Sequence, residues 1–461
     1  MPCIVATLDM AKYEKEKIAM NSIIEQTDSI CPVCKKNIKA DIIDENNSAY
    51  MVKECQKHGA FKSIIAKYSW YYKGLSSLYD TLFPKGHLLS KDTFRNVTIH
   101  PTSKCNLSCS ICYADSLDKI FEEPLLSDIE KTIKTIKGRK IISVLGGEPT
   151  MRRDIYQIIK LFHKAGHYVE IFTNGVKLKD LDYLRKLKKT GVNIVHLNIS
   201  SLSDDSVYEK MGMGKGLLED RLEVLSNLKK LKLNTGIIDV VIKGSTEKYI
   251  NEIVTFSRKN RFIHELSIRG YSHIGKLGLT RGDELTMDEL VETFARQAKG
   301  LVTLEEFYMF QRIIYILRYI FDNRSQCYVN QHILIPRHGK KIRDILPPNR
   351  MNKYINLFEN MVKGNPLKAK IYFLSKLMPR MALFGKRLSL QNMLSGKMPY
   401  LSSRYYIPLE FCMFYTPYTL DLNRAKKRCS SAWWHSYAEG KYDGYCKILA
   451  STSDVNIQGK G

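Results

Sequence analysis

Cys105, Cys109 and Cys112 stand four and three residues apart in the stretch SKCNLSCSICYADS, with no fourth cysteine close by. Structural zinc is closed by four ligands, and a cubane [4Fe–4S] cluster is ordinarily held by four thiolates. Three thiolates leave one iron of a cube open, which is useful only where a substrate or cofactor takes that position. A zinc or ordinary cluster site completed by a distant cysteine is the alternative that the spacing leaves standing.

A second set precedes it. Cys31-x2-Cys34 and Cys55-x2-His58 make a closed group of four ligands in two knuckles. That pattern suits tetrahedral zinc, or iron in a rubredoxin-like site, and the histidine favours zinc. Buried cysteines that bind nothing are the plain alternative, which the paired spacing argues against. The role expected is structural, because so small a domain has little core of its own.

Both sets need elements to position them. Around the knuckles, the short alternating runs KADIID, AYMVKE and FKSIIA read as strands of a hairpin. From Asn96 to Ser272 apolar strand-like runs recur: VTIHPT, KIISVLGG, YVEIFTNG, NIVHLNIS, TGIIDVVIKG and HELSIRGYS. Amphipathic stretches such as DIYQIIKLFHKAG lie between them. Strands alternating with helices predict a parallel α/β sheet, doubly wound or curled into a partial barrel, with ligands at the C-terminal strand ends. The three cysteines directly follow the first of these strands. The domain organisation expected is an extension over residues 1–30, a metal-knuckle domain over 31–90, a core over 91–290 and a tail over 291–461.

Seventy-two Lys and Arg against 47 Asp and Glu leave a formal charge of +25, which favours anionic partners unless the excess is solvated surface. No stretch offers about 18 uninterrupted apolar residues, so a spanning helix is not expected. The N-terminus MPCIVATLDMAKYEKEK lacks a secretory pattern, and with 11 cysteines this predicts metal ligation in a reducing cytoplasm.

The order of motifs resembles the radical S-adenosylmethionine (SAM) superfamily: C-x3-C-x2-C after the first strand, GGEP at 146–149 after the second, TNG after the third. The resemblance implies a partial (β/α)6 barrel and an iron–sulfur enzyme. In that family the amine and carboxylate of SAM chelate the open iron, and reductive cleavage yields a 5′-deoxyadenosyl radical that abstracts hydrogen from substrate. It further implies cofactor contacts for Gly146, Gly147, Glu148 and Pro149, with Glu148 toward the SAM ammonium. Thr173 and Asn174 would line the pocket, and Asn198 and Ser200 stand where a Ser-x-Asp type pair usually meets the ribose. Ile111 occupies a position that is aromatic in many members, with its backbone facing the adenine.

The knuckles before this core narrow the resemblance to the group with tetraether lipid synthases and pterin-methylating radical SAM enzymes; the segment FYTPYTLDLNRAKKRC is similar to that group's C-terminal region. Members carry auxiliary clusters. Here Cys327, Cys412, Cys429 and Cys446 either ligate one auxiliary [4Fe–4S] cluster or are free or buried thiols. Between Glu359 and Glu410 there is no acidic residue, while Lys363, Lys368, Lys370, Lys376, Arg380, Lys386, Arg387, Lys397 and Arg404 alternate with apolar residues. Such a segment suits an anionic membrane surface, or is the solvated face of core helices. The aromatic helix at 307–321 is a candidate acyl-chain lining, or simply core.

These readings predict an α/β enzyme with a zinc-ribbon or rubredoxin-like N-terminal domain and a mostly helical C-terminal domain. The reaction expected begins with hydrogen abstraction from an unactivated C–H bond of a lipid, with C–C coupling or methylation as the outcome. The alternatives are C-methylation of a pterin-like molecule and, in another class, a non-catalytic metal-scaffolded binder of nucleic acid or membrane. A ferredoxin or flavodoxin is the expected electron donor, nucleic acid is not an expected partner, and peripheral membrane contact is retained.

Overall fold

A computed structural model describes residues 22–84, 96–114, 123–274, 281–321, 330–339, 341–344, 346–379, 406–413, 416–423, 431–436 and 441–444. The N-terminal unit is a four-stranded antiparallel sheet: β1 (Ser22–Ile30), β2 (Asn37–Glu45), β3 (Ser48–Cys55) and β4 (Gly59–Ala66), in that order. Asn46 and Asn47 both take positive φ, 52° and 63°, as a two-residue hairpin turn demands. The knuckle domain therefore starts earlier than residue 31. Ser22–Ile30, placed above in an extension, is its first strand and pairs with β2 from Ser22↔Asp44 to Ile30↔Asn37.

Beyond a helix at Ser69–Leu82, the six expected strands all form. They are β5 (Asn96–Ile99), β6 (Ile141–Val144), β7 (Tyr168–Thr173), β8 (Ile194–Asn198), β9 (Thr235–Val241) and β10 (Ile263–Gly270), hydrogen-bonded in sequence order and parallel throughout. Parallel neighbours need crossovers, supplied by helices such as Ile155–Lys164, whose Ile155, Ile158, Ile159 and Phe162 are buried against the sheet. The tail adds strands to both edges. β11 (Asn330–Pro336) and β12 (Tyr406–Cys412) extend the β10 side, with β12 parallel to β10; β13 (Ser431–Ser436) and β14 (Lys441–Gly444) extend the β5 side.

The aromatic helix Leu304–Phe321 is core. Tyr308 packs edge-on to Trp70 at 5.1 Å, Phe307 to Phe411 at 5.0 Å and Tyr315 to Tyr79 at 6.1 Å, and none of these residues lines the cavity described below. That packing displaces the acyl-lining reading. No described helix is long and apolar enough to cross a membrane.

Polar side chains join the ribbon to the barrel. Asp288, fully buried, accepts from the backbone N–H of Lys67 (3.2 Å) and Tyr68 (2.6 Å), and from the Thr286 hydroxyl (2.5 Å). On the other side Thr27 Oγ1 donates to Asp421 (2.7 Å), Ser29 Oγ to the Leu420 carbonyl (2.6 Å) and Lys53 Nζ to the Pro417 carbonyl (2.9 Å).

Replacing Asp288 by alanine removes the acceptor of two half-buried amides and is expected to lower unfolding free energy by about 2 kcal/mol, read from chemical denaturation. A wild-type midpoint in the variant would refute the strut. Burial also lowers His100 to about 3 and His264 to about 4, so both are neutral when folded. The unfolded chain takes up their protons below about 6.5, so the folded state binds fewer and loses stability as pH falls from 6.5 toward 4. Urea midpoints at pH 7 and pH 5 check the sign.

Candidate metal centres and cofactor cavity

The ribbon's four ligands converge. Cys31 Sγ and Cys55 Sγ each lie 3.5 Å from His58 Nδ1, and Cys34 Sγ lies 3.9 Å from Cys55 Sγ. The four ligand atoms fall within 4.8 Å of one another. A tetrahedral zinc with bonds of about 2.3 Å to sulfur and 2.0 Å to nitrogen has ligand–ligand edges of about 3.8 and 3.5 Å. Burial raises the Cys31 thiol, while the backbone N–H of Lys57 and then His58 lower Cys55 to about 6. Lys35, with φ 60°, turns the first knuckle, and Gly59, with φ 74°, the second.

At the C-terminal ends of the barrel strands lies a cavity of about 210 Å³. Cys105, Cys109, Cys112 and Ile111 line it together with Gly146, Gly147, Glu148, Thr173, Asn174 and Asn198. The loop from β5 to Cys105 rests on the end of β6. Gly147 N donates to Thr102 O (2.9 Å) and Glu148 N to Lys104 O (2.8 Å). A Cβ on Gly146 (φ 133°) would fall 2.4 Å from Thr102 O, and one on Gly147 2.3 Å from Ser103 O. No side chain fits there. The close approach met by these glycines is to the cysteine loop itself.

Glu148 is 1% exposed and heavily engaged. Its Oε1 accepts from Thr150 N (3.1 Å), Thr150 Oγ1 (2.6 Å) and Thr173 Oγ1 (2.7 Å), and its Oε2 from Asn174 N (2.7 Å). The carboxylate thereby ties the end of β6 to the end of β7 and keeps acceptor capacity on Oε2. Pro149 opens the short turn Pro149–Met151 and Ser200 is fully buried, its Oγ accepting from Val240 N at 3.4 Å; neither lines the cavity. Of the four tail cysteines, Cys412 is buried at the end of β12, and Cys327, Cys429 and Cys446 lie outside the described residues. Among the described residues no auxiliary ligand set of three or more gathers.

Two arginines in the cavity wall escape the motif reading. Arg221, on helix Leu217–Lys230, is 1% exposed, donates from Nη1 to Asn174 O and lies over the Tyr208 ring at 5.5 Å. Its Nε and Nη2 are buried with no partner. Arg269, on β10, donates from Nε to Ser267 Oγ (3.2 Å) and sits over Phe172 at 5.5 Å. Phe172 stacks on His196 at 4.3 Å, and His196 Nε2 lies 3.3 Å from Glu170 Oε2. Burial pushes nearby Glu265 up to about 8. The signal was a charge within each apolar run: the Glu of YVEIFTNG and both Glu and Arg of HELSIRGYS.

The cavity fits a [4Fe–4S] cluster with SAM. Burial, then Cys112 and Cys105, push Cys109 up to about 11, a cost that cationic iron reverses. Beside the cysteines, Glu148 Oε2, the unpartnered Asn198 Oδ1 and the spare N–H groups of Arg221 offer acceptors and donors to an amine, hydroxyls and a carboxylate.

A parallel half-barrel with three cysteines at its first strand end defines an iron–sulfur enzyme class. Residues 99–257 match the model of the radical SAM superfamily, and residues 23–67 that of the HMPTM N-terminal zinc ribbon domain. Residues 99–257 are thus similar to the domain that in the radical SAM superfamily holds an iron–sulfur cluster and SAM, and they follow a segment similar to a zinc ribbon. The chain is 28% identical over 319 residues to the 7,8-dihydro-6-hydroxymethylpterin dimethyltransferase of Methanocaldococcus jannaschii, covering 62% of this chain and 61% of that one. It is 31% identical over 156 residues to the Fe-coproporphyrin III synthase of Methanosarcina barkeri, covering 33% of this chain and 38% of that one. The chain thus spans less than two thirds of either relative. Streptococcus suis SuiB shares 22% identity over 48% of each chain, with a TM-score of 0.37.

The two centres separate by metal analysis. Gly147→Ala is expected to lose most cluster iron and keep its zinc, and Cys31→Ser to lose its zinc. Full iron in Gly147→Ala would contradict the loop-clamp account.

Proposed function

We propose that the chain abstracts hydrogen from an unactivated C–H bond of a small, hydrogen-bonding heterocycle of the pterin class, the substrate radical then taking a methyl group from a second SAM together with one further electron from the same reductant. The observation that carries this reading is the joint similarity of ribbon and barrel to the pterin dimethyltransferase, across 319 residues rather than the barrel alone. With cluster and SAM bound, the site supplies a carbon-centred oxidant able to take such a hydrogen. Cys105, Cys109 and Cys112 hold three corners of the cube. The Gly146–Gly147 turn and Glu148 Oε2 receive the ammonium of SAM, Arg221 its carboxylate, and Asn198 a ribose hydroxyl. Phe172, Ile238 and Val240 form an apolar cavity wall that excludes water from the reacting carbon. Arg269, anchored on Ser267, orients polar groups of the substrate. A ferredoxin or flavodoxin delivers the electron.

A second reading, C–C coupling or methylation of a lipid, is favoured by the tail. Exposed apolar side chains there stand among lysines, as an enzyme in peripheral contact with an anionic membrane would require.

Anaerobically loaded protein is expected to show iron–sulfur absorption and, once reduced, to release 5′-deoxyadenosine; replacing Cys105, Cys109 and Cys112 by alanine should abolish both. Persistence of the cluster in that variant would sink the assignment. In a deletion strain, mass spectrometry should show an under-methylated pterin; loss of a coupled lipid species would instead select the second reading.

A further inference from the structure

The helix Pro366–Tyr372 and the π turn Phe373–Leu377 that continues it have two apolar faces. Ala369, Phe373 and Leu377 are buried and account for one. Leu367, Ile371 and Leu374, spaced four and three residues apart and so aligned on one side, are 68%, 58% and 48% exposed. Leu357, on helix Pro348–Gly364, is 43% exposed as well. Among the described residues, packing explains the first face and not the second.

Along the segment that carries the second face, charge has one sign. Lys363, Lys368 and Lys376 are exposed, and Lys370 lies over the Tyr319 ring at 5.3 Å. No carboxylate occurs between Glu359 and Glu410, and Arg380, Lys386, Arg387, Lys397 and Arg404 follow in sequence. An apolar stripe in a segment whose charged residues are all cations complements a surface that is apolar beneath an anionic layer. Lysine stems lie along apolar surface while their ammonium groups reach outward, which suits the same boundary.

We infer that Leu367, Ile371 and Leu374, with Lys363, Lys368 and Lys376, form a docking surface for an anionic phospholipid membrane. The contact does not depend on the substrate, because none of these residues lines the cavity.

The test is co-sedimentation of anaerobically prepared full-length protein with phosphatidylcholine vesicles, with and without phosphatidylglycerol. Wild type is expected to bind the phosphatidylglycerol vesicles, less so as salt is raised, and pure phosphatidylcholine weakly. The triple variant Leu367→Glu, Ile371→Glu, Leu374→Glu should lose about tenfold or more in binding. Its thermal midpoint and SAM cleavage should stay unchanged, which separates this contact from the active site. The charge variant Lys363→Gln, Lys368→Gln, Lys376→Gln should lose the salt-sensitive part. Equal binding by wild type and the leucine variant would overturn the inference. So would a wild-type dimer that the same variant dissolves, since the stripe would then be an interface between copies.

Discussion

The cysteine loop can sit at the mouth of the barrel only because the next strand ends without side chains. Thr102, Ser103 and Lys104 turn their carbonyls onto Gly146, Gly147 and Glu148, and the separation leaves no room for a Cβ. The loop is held from the far side too. Ser110 N donates to Met211 O (2.9 Å), and a Cβ on Gly212 would meet Ser110 N at 2.8 Å. Two backbone-to-backbone clamps therefore fix three thiols whose mutual repulsion and burial oppose ionisation. Rigid backbone, not side-chain packing, is what keeps those thiols together until iron neutralises them.

Glu148 shows how one residue serves two purposes. A carboxylate buried to 1% exposure would be costly alone. Four donors from Thr150, Thr173 and Asn174 satisfy it, and in doing so they align the ends of β6 and β7. The adjacent barrel interior follows the same logic with titratable groups. Ser143 donates to Glu170 and Ser267 to Glu410, each at 2.5 Å, while Phe172 lies between His196 and Arg269. A polar interior beneath an apolar cavity fixes the orientation of Arg269, since a guanidinium anchored from behind has fewer directions in which to point.

Legibility followed locality. The parallel strands were readable because each is a short apolar run bounded by turn residues, and both cysteine sets because ligand spacing is a local property. Ser22–Ile30 was not, since SIIEQTDSI is polar and carries no strong period. Its Thr27 and Ser29 find their partners at Asp421 and Leu420, nearly four hundred positions away. Ser200 lies off the cavity for a related reason: two places beyond Asn198 is past the end of β8, where the chain turns toward Val240. Arg221 sits on the buried side of an amphipathic helix, where sequence periodicity leads one to expect a hydrophobe.

The ribbon's position gives its metal a reach beyond its own fold. Lys53, Thr27 and Ser29 hold Pro417, Leu420 and Asp421, the stretch just after β12. Strand β12 pairs with β10 from Leu266↔Leu409 to Arg269↔Cys412, so it flanks the strand that presents Arg269 to the cavity. A small sheet with few core residues would not keep those polar anchors in register by itself. Four ligands drawn to one metal remove the freedom of both knuckles, between β1 and β2 and between β3 and β4, and so stiffen the face that carries the anchors. The zinc centre thereby supports the wall of a cavity to which it contributes no ligand.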